Sequence, residues 1–270
     1  MKFYDKLRAA WKANNSLVCV GLDPAIERFP SVLPQKPESI FEFNRQIIDA
    51  THDLVCAYKP QIAYFAAQGA EDALTRTIAY IHDNYPAIPV ILDAKRGDIG
   101  STARQYAAEA FVRYGADAVT VNPYMGYDSV EPFLEYGDKG VVLLCRTSNK
   151  GAADIQDLLV DSTPLYEKVA AMIAGKWNKN NNCLIVVGAT WPEQMQRLRS
   201  LVGEMPFLVP GVGAQGGDVE KLVTAGKTAD GTGLLVSASR SIIYAGSGPD
   251  FAENARRAAL ELRDLINRYR

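Results

Sequence analysis

The sequence lacks several features that would each indicate a particular class of protein. No stretch of its 270 residues stays apolar for the length that a membrane span requires, so we expect no membrane partner. Residues 1–15 are charged and mixed and contain no apolar core, so we do not expect a signal peptide. No basic block is present and the formal net charge is −2, which argues against a nucleic-acid partner.

Cysteine and histidine are scarce, and neither is grouped. The four cysteines lie in or beside apolar runs without CxxC spacing: Cys19, Cys56, Cys145 and Cys183. We interpret them as buried, reduced thiols of a cytoplasmic protein rather than as a disulfide framework or a zinc site. The two histidines, His52 and His82, lie in helical patterns, and we interpret both as helix-surface residues. The sequence therefore gives little support for a Ser-His-Asp triad or for a metal site with histidine ligands.

What the sequence does contain is a regular alternation of short apolar, β-branched runs with longer segments of helical periodicity. The runs cover residues 16–22, 54–58, 88–92, 117–121, 140–145, 183–188, 206–209 and 233–237. The helical segments cover residues 40–52, 70–84, 101–114, 164–177, 192–202, 217–225 and 249–270. Continuous apolar runs are typical of parallel strands buried on both faces, and the alternation indicates right-handed crossovers.

Eight strand and helix units in one chain of this length predict a single (β/α)₈ TIM barrel over residues 1–270. An open Rossmann-like sheet is the alternative, but no GxGxxG follows the first strand. Active sites of TIM barrels lie at the carboxyl ends of the strands, so the polar residues that directly follow each run are candidates for the site. Three carboxylates and two lysines converge there, which is too much charge for packing alone.

The strongest local pattern is ILDAKRGDIG, residues 91–100. Residues two apart in a strand point the same way, so Asp93 and Lys95 should share a side, and Asp98 follows at the turn into the next helix. In isolation, Asp98 could be a helix N-cap and Asp93 and Lys95 an ordinary ion pair. At the end of a buried strand, however, charge is costly unless it is paired or used, which favours a functional role.

Lys59 ends another apolar strand, and it could be a solvated lysine at the rim. Together with Asp93 and Lys95 it could instead form an alternating chain of charges. Neighbouring carboxylates favour the protonated form of Lys95, which suits an acid and a local positive charge. A Schiff-base nucleophile would need the opposite, a depressed pKa.

Two further segments indicate an anion site. Residues 208–218, LVPGVGAQGGD, supply backbone N–H groups that can approach an anion, and Gln215 and Arg240 add side-chain donors. Loops after the seventh and eighth strands are the usual phosphate site of this fold, although a flexible turn beside a surface arginine would look similar. In CRTSNKGA, residues 145–152, the polar side chains could form hydrogen bonds to the edge of a polar ring, or the segment could be a simple turn.

Taken together, DAKRGDI, VPGVGAQGGD and RTSN resemble the orotidine 5′-phosphate decarboxylase family, in its longer bacterial subfamily. The resemblance runs from about Val18 to Ala245. It implies a TIM barrel that acts on orotidine 5′-phosphate to give UMP, without a cofactor or a metal. It also implies a homodimer whose sites lie near the shared interface.

The resemblance also implies roles for individual residues. Lys95 resembles the proton donor, and Asp93 resembles the carboxylate set against the substrate's own carboxylate. Lys59 resembles the lysine that links Asp93 to the ribose, and Asp23 resembles a ribose ligand. Asp98 resembles the aspartate that reaches the neighbouring subunit's site, with Ile99 and Thr102 beside it. Ser148 resembles the residue that recognises the pyrimidine, and Pro210, Gln215 and Arg240 resemble the closing loop and the phosphate-binding residues. Ser239 stands where many members carry glycine, and the first loop, residues 24–37, lacks a close counterpart in short members.

Two other functions remain open from the sequence. A Mg²⁺-dependent sugar-phosphate decarboxylase or hexulose-phosphate synthase of the same suprafamily would share the barrel and the DxKxxD pattern. A non-catalytic barrel that binds nucleotide phosphates would bind UMP without turnover. The interleaved lysines oppose a divalent cation, and a binder has no use for so many buried charges.

Overall fold

The computed structural model describes residues 1–212 and 218–270. Eight of its strands form one parallel sheet: β1 (Val18–Leu22), β2 (Ala57–Pro60), β3 (Ile91–Arg96), β4 (Ala118–Val121), β5 (Gly140–Arg146), β8 (Cys183–Val187), β9 (Phe207–Pro210) and β10 (Leu234–Ala238). The order across the sheet is β2-β1-β10-β9-β8-β5-β4-β3. Parallel bridges from Tyr58 to Val90 and from Gln61 to Asp93 join the two outer strands, so the sheet closes. The predicted TIM barrel is confirmed.

A small antiparallel hairpin, β6 (Leu159–Val160) and β7 (Thr163–Pro164), lies outside the barrel sheet. The helices follow the strands in alternation: α1 (Phe3–Ala13), α2 (Ile40–Thr51), α3 (Ile62–Ala66), α4 (Glu71–Asn84), α5 (Gly100–Ala108), α6 (Tyr127–Leu134), α7 (Ala153–Gln156), α8 (Leu165–Met172), α9 (Pro192–Val202), α10 (Val219–Gly226), α11 (Arg240–Ile243) and α12 (Phe251–Asn267). Short π-helical turns, Glu109–Arg113 and Ile173–Trp177, extend α5 and α8 to near the predicted ends.

The core fills the barrel and the space between the sheet and the helices. The strand residues of β1, β4, β8 and β10 are buried throughout, as expected for strands covered on both faces. All four cysteines are buried and free, which confirms that they are buried thiols and not a disulfide framework. No helix within residues 1–212 and 218–270 is long and apolar enough to cross a membrane.

Helix α1 was not predicted, and it covers the amino-terminal end of the barrel. Its buried residues Phe3, Leu7 and Trp11 recur at helical spacing on one face. The Trp11 indole N–H donates to the Leu234 carbonyl at 3.0 Å. A side chain at Gly140 would meet the Phe3 ring at 2.5 Å, so glycine is required where the helix docks.

Candidate active site

The centre of the site is the predicted alternating chain of charges. Asp93 accepts from Lys59 Nζ at 2.9 Å through one carboxylate oxygen and from Lys95 Nζ at 2.7 Å through the other. Asp93 and Lys59 are both 6% exposed, whereas the side chain of Lys95 is 49% exposed. The two inner charges are therefore held in the barrel, and the outer one is free to meet a ligand.

The charges stabilise one another in their ionised forms. Burial alone would raise the pKa of Asp93, but the ammonium groups of Lys59 and Lys95 outweigh it and hold that pKa well below its usual range. Burial alone would lower the pKa of Lys59, but Asp93 and Asp23 outweigh it and raise that pKa above its usual value. The site thus keeps a buried carboxylate charged between two cations.

The backbone at Lys95 departs from regular strand geometry. Lys95 has a φ of +48°, in the left-handed region that a lysine seldom adopts. The pairing of β3 with β4 shifts register between Leu92 and Arg96. The Thr120 hydroxyl on β4 accepts from the backbone N–H groups of Ala94 and Lys95 and donates to Asp93. Thr120 was not predicted as a site residue, because a threonine inside an apolar run is typical of an ordinary strand.

A cavity of about 690 Å³ opens at the carboxyl ends of the strands. Its lining includes Lys59, Asp93 and Lys95 on one side, and Ser148 and Pro210 elsewhere in the wall. Part of its wall is apolar, formed by the following side chains: Leu144, Val186, Leu208, Leu165 and Val169. An apolar wall beside a few fixed charges is typical of a small-molecule site.

The loop that carries Ser148 is held by residues that the sequence analysis did not single out. Gln156 accepts from the backbone N–H of Thr147 at 2.9 Å and donates to its hydroxyl at 2.9 Å. The Trp191 indole N–H donates to the Thr147 carbonyl at 3.1 Å. A side chain at Gly188 would approach the Ser148 backbone to 2.8 Å, so the glycine permits this close contact.

Asp23 and Ser239 form a second polar group where β1 and β10 end. The Ser239 hydroxyl donates to Asp23 Oδ2 at 2.6 Å. The other oxygen, Oδ1, is buried and has no hydrogen-bond partner among the described residues. Buried polar atoms are normally satisfied, so this oxygen is available for a ligand hydroxyl. Ser239 is therefore more than a backbone donor in this chain, because its side chain fixes the Asp23 carboxylate.

The other predicted residues that the structure describes lie in the loops and helices that follow β3 and β10. Arg240 is exposed at the start of α11, directly after β10. Asp98 does not join the chain of charges, since its described contact is a hydrogen bond from the Ile99 N–H at 2.8 Å. Ile99 is 56% exposed and Thr102 is also exposed. Gln215, with the glycines at 213, 216 and 217, lies outside the described residues.

Comparisons with known proteins agree on one family. The model of the orotidine 5′-phosphate decarboxylase / HUMPS family matches residues 16–257. Orotidine 5′-phosphate decarboxylase of Cellvibrio japonicus is 66% identical, over 99% of this chain and 98% of that protein. The protein of the same name from Aromatoleum aromaticum is 62% identical over the whole of both chains.

Solved structures extend the agreement to the fold. The OMP decarboxylase of Leishmania donovani superposes with a TM-score of 0.88 at 41% identity, covering 100% of this chain and 98% of that one. The UMP synthase of the same organism gives a TM-score of 0.90 at 43% identity, covering 100% of this chain and 56% of that one.

Proposed function

The chain belongs to the orotidine 5′-phosphate decarboxylase family and converts orotidine 5′-phosphate to UMP and CO₂, and we propose that Lys95 supplies the proton in this reaction. The reaction is the last step of UMP biosynthesis. The observation that carries the proposal is the Lys59–Asp93–Lys95 chain, whose outer ammonium is half-exposed in the cavity while its inner carboxylate is buried.

Lys95 meets the chemical demand of the step. Cleavage of the bond between C6 and the carboxylate releases CO₂ and leaves an electron pair on C6 of the pyrimidine. The Lys95 ammonium stabilises that developing charge and then transfers a proton to C6, which completes UMP. Asp93 orients the ammonium group of Lys95 through the 2.7 Å contact.

Asp93 has a second role in the proposal. Its charge lies beside the position that the substrate carboxylate must occupy if Lys95 is to reach C6. Two like charges at short range repel, and loss of neutral CO₂ relieves the repulsion. Lys59 holds Asp93 from the buried side, and we propose that it links this carboxylate to the ribose.

The substrate's remaining groups are assigned to the rest of the mouth. Asp23 binds a ribose hydroxyl through its unpartnered oxygen, with Ser239 fixing the carboxylate. Ser148 reads the pyrimidine edge. A separate set grips the phosphate and the loop that closes over it: Pro210, Gln215 and Arg240. Phosphate contacts lie away from the bond that breaks, so their binding energy can organise the charged site.

We further propose a homodimer in which Asp98, Ile99 and Thr102 reach the neighbouring subunit's site. Their positions support this, because Ile99 is an exposed apolar residue and none of the three joins the chain of charges within one subunit. We also propose that the chain acts as one catalytic domain in the cytoplasm, where its four free thiols stay reduced.

We propose that catalysis needs neither a metal ion nor a cofactor, since lysines flank the buried carboxylate and repel a divalent cation. The test is to mix the purified protein with orotidine 5′-phosphate and excess EDTA and to follow loss of the orotate absorbance. Rapid conversion to UMP is expected. Loss of activity in EDTA that returns with Mg²⁺, or turnover of a sugar phosphate instead, would overturn the proposal.

A further inference from the structure

The hydroxyl of Thr120 joins the reactive charges to the backbone that carries them. Thr120 is 1% exposed in the middle of β4. Its Oγ1 donates to Asp93 Oδ1 at 2.9 Å and accepts from the N–H groups of Ala94 and Lys95 at 2.9 and 2.8 Å. A hydroxyl has one proton and two acceptor lone pairs, so these three bonds use all of its capacity.

These bonds coincide with the irregular part of β3. Successive N–H groups of a regular strand point to opposite sides, so two consecutive N–H groups reach one oxygen only where the strand leaves regular geometry. That departure is visible in the left-handed φ of Lys95 and in the register shift between Leu92 and Arg96. A conformation of this kind persists only where the surroundings hold it, and Thr120 supplies three such contacts.

We propose that Thr120 is a positioning residue for the decarboxylation, whose hydroxyl holds the turn that presents Lys95 and fixes the rotation of the Asp93 carboxylate. The inference rests on the roles proposed above for Lys95 and Asp93. Because its hydrogen bonds are all used within the protein, Thr120 acts through these two residues and not on the substrate.

Loss of the hydroxyl should leave every charge in place and change only their geometry. Two backbone N–H groups would lose their acceptor, and Asp93 Oδ1 would keep a single donor, Lys95. A misplacement on the order of 1 Å can cost about 100-fold in rate, because the reacting atoms must be aligned. Binding of the phosphate and ribose, which the proposed function assigns to other residues, should change little.

The test compares Thr120→Val, which keeps the shape, with Thr120→Ser, which keeps the hydroxyl. For Thr120→Val we expect kcat to fall by about 10- to 100-fold while the UMP dissociation constant stays within about threefold. Thr120→Ser should recover most of that loss. Thr77→Val is the matched control, because Thr77 is equally buried and hydrogen-bonded between α2 and α4, where it should affect Tm and not kcat.

A kcat for Thr120→Val within about threefold of the wild-type value would overturn the inference, as would an equal loss in Thr120→Ser. If Thr120→Val does not fold, Thr120→Ala against Thr120→Ser tests the same hydroxyl by the same criteria. Lys95→Ala belongs in the same series. Activity retained in that variant would refute the proposed proton donor, whereas an inactive Lys95→Ala beside a fully active Thr120→Val would refute the role of Thr120 alone.

Discussion

Each end of the barrel holds an aspartate that accepts three hydrogen bonds, Asp93 buried and Asp117 partly buried, and the two aspartates differ in what their partners can do. At the mouth, Asp93 accepts from Lys59, Lys95 and Thr120. At the opposite end, Asp117 accepts through Oδ2 from Lys6 at 2.9 Å and the Val90 N–H at 2.8 Å, with His82 Nε2 at 3.0 Å.

The two aspartates differ in the exposure of their lysine partners and in the segments of the chain that they connect. The Lys6 side chain is 13% exposed, against 49% for Lys95. Lys6 belongs to α1, His82 to α4, and Val90 precedes β3, so Asp117 ties three separate segments together. Asp93 instead holds one lysine inside and directs another into an open cavity. Similar ion pairs therefore stabilise the fold at one end and are available for chemistry at the other, as expected for this architecture.

Replacing the lysine partner of each aspartate, Lys95 at the mouth or Lys6 at the opposite end, should separate the catalytic role from the stabilising role most strongly. We expect Lys95→Ala to lower kcat by at least about 10⁴-fold, because the proton transfer and the charge stabilisation that we propose for Lys95 are both lost. Lys6→Ala should leave kcat within about twofold, since Lys6 contacts only the far end of the barrel. Steady-state assays of both variants, with UMP binding as a check on the mouth, decide the matter. A comparable loss of kcat in Lys6→Ala would show that the two ends of the barrel do not differ in this way.

The aspartate at the far end should matter for stability. Asp117→Asn replaces an anion that accepts three bonds with a neutral amide, and we expect the free energy of unfolding to fall by about 3 kcal/mol. The kcat of the folded variant should be unchanged. Urea unfolding provides the measurement. Asp72→Asn, at an exposed ion pair on α4, is the control and should change stability by less than about 0.5 kcal/mol.

Replacing Arg240 tests whether the phosphate contact that we propose for it serves substrate capture more than chemistry. Arg240→Ala should lower kcat/KM by about 100-fold through loss of a charge-assisted hydrogen bond, with a smaller effect on kcat. Binding of UMP should weaken, whereas binding of uridine, which lacks the phosphate, should not. Arg197→Ala is the control, because Arg197 on α9 is an exposed arginine that pairs with Glu167. Equal weakening of uridine and UMP would contradict the phosphate role.

The smallest expected effect is the contribution of Asp117 to the pH dependence of the free energy of unfolding. Burial would raise the pKa of Asp117, but the hydrogen bond from His82 and the charge of Lys6 lower it to about 2. A depressed pKa contributes stability that is present above the unfolded-state value, near 4, and is lost as the pH falls towards 2. The contribution is at most about 2 kcal/mol.

Urea midpoints measured between about pH 2 and pH 6 should therefore fall less steeply in Asp117→Asn than in the wild type. Asp93 also has a depressed pKa, so the variant should retain part of the dependence. Identical slopes for the two proteins would show that the bonds to Asp117 do not favour its ionised form.

The barrel could be predicted from the sequence because buried strands are continuous apolar runs. The predicted carboxyl ends of two strands, however, lie several residues before the ends that the structure shows. The runs at 54–58 and 88–92 stop at the last apolar residue, whereas β2 and β3 continue as Ala57–Pro60 and Ile91–Arg96. The missing residues are the polar ones of the site, Lys59 and Asp93–Arg96. Hydrophobic pattern alone could not include them, because they remain in the strands through their hydrogen bonds and ion pairs.

Other features depended on tertiary contacts that no local pattern encodes. The charges of Asp93 and Lys95 were found because ionised residues at the end of a buried strand are unusual, but Thr120 and Gln156 carry no such signal. His82 was interpreted as a helix-surface residue. It does lie on α4, yet its contact with Asp117 lies 35 positions away in the sequence. The pattern of Phe3, Leu7 and Trp11 could have revealed α1, although charged neighbours dilute it.

The docking of α1 has a consequence for how the chain folds. Trp11 donates to a carbonyl on β10, 223 positions later, and Tyr4 donates to the Glu204 carbonyl 200 positions later. Helix α1 is therefore made before the part of its binding surface that β10 supplies. Contacts of such long sequence separation slow folding, since a large loop must close before they form. Until then part of the apolar face of α1 lacks its partner, and such transiently exposed apolar surface favours aggregation.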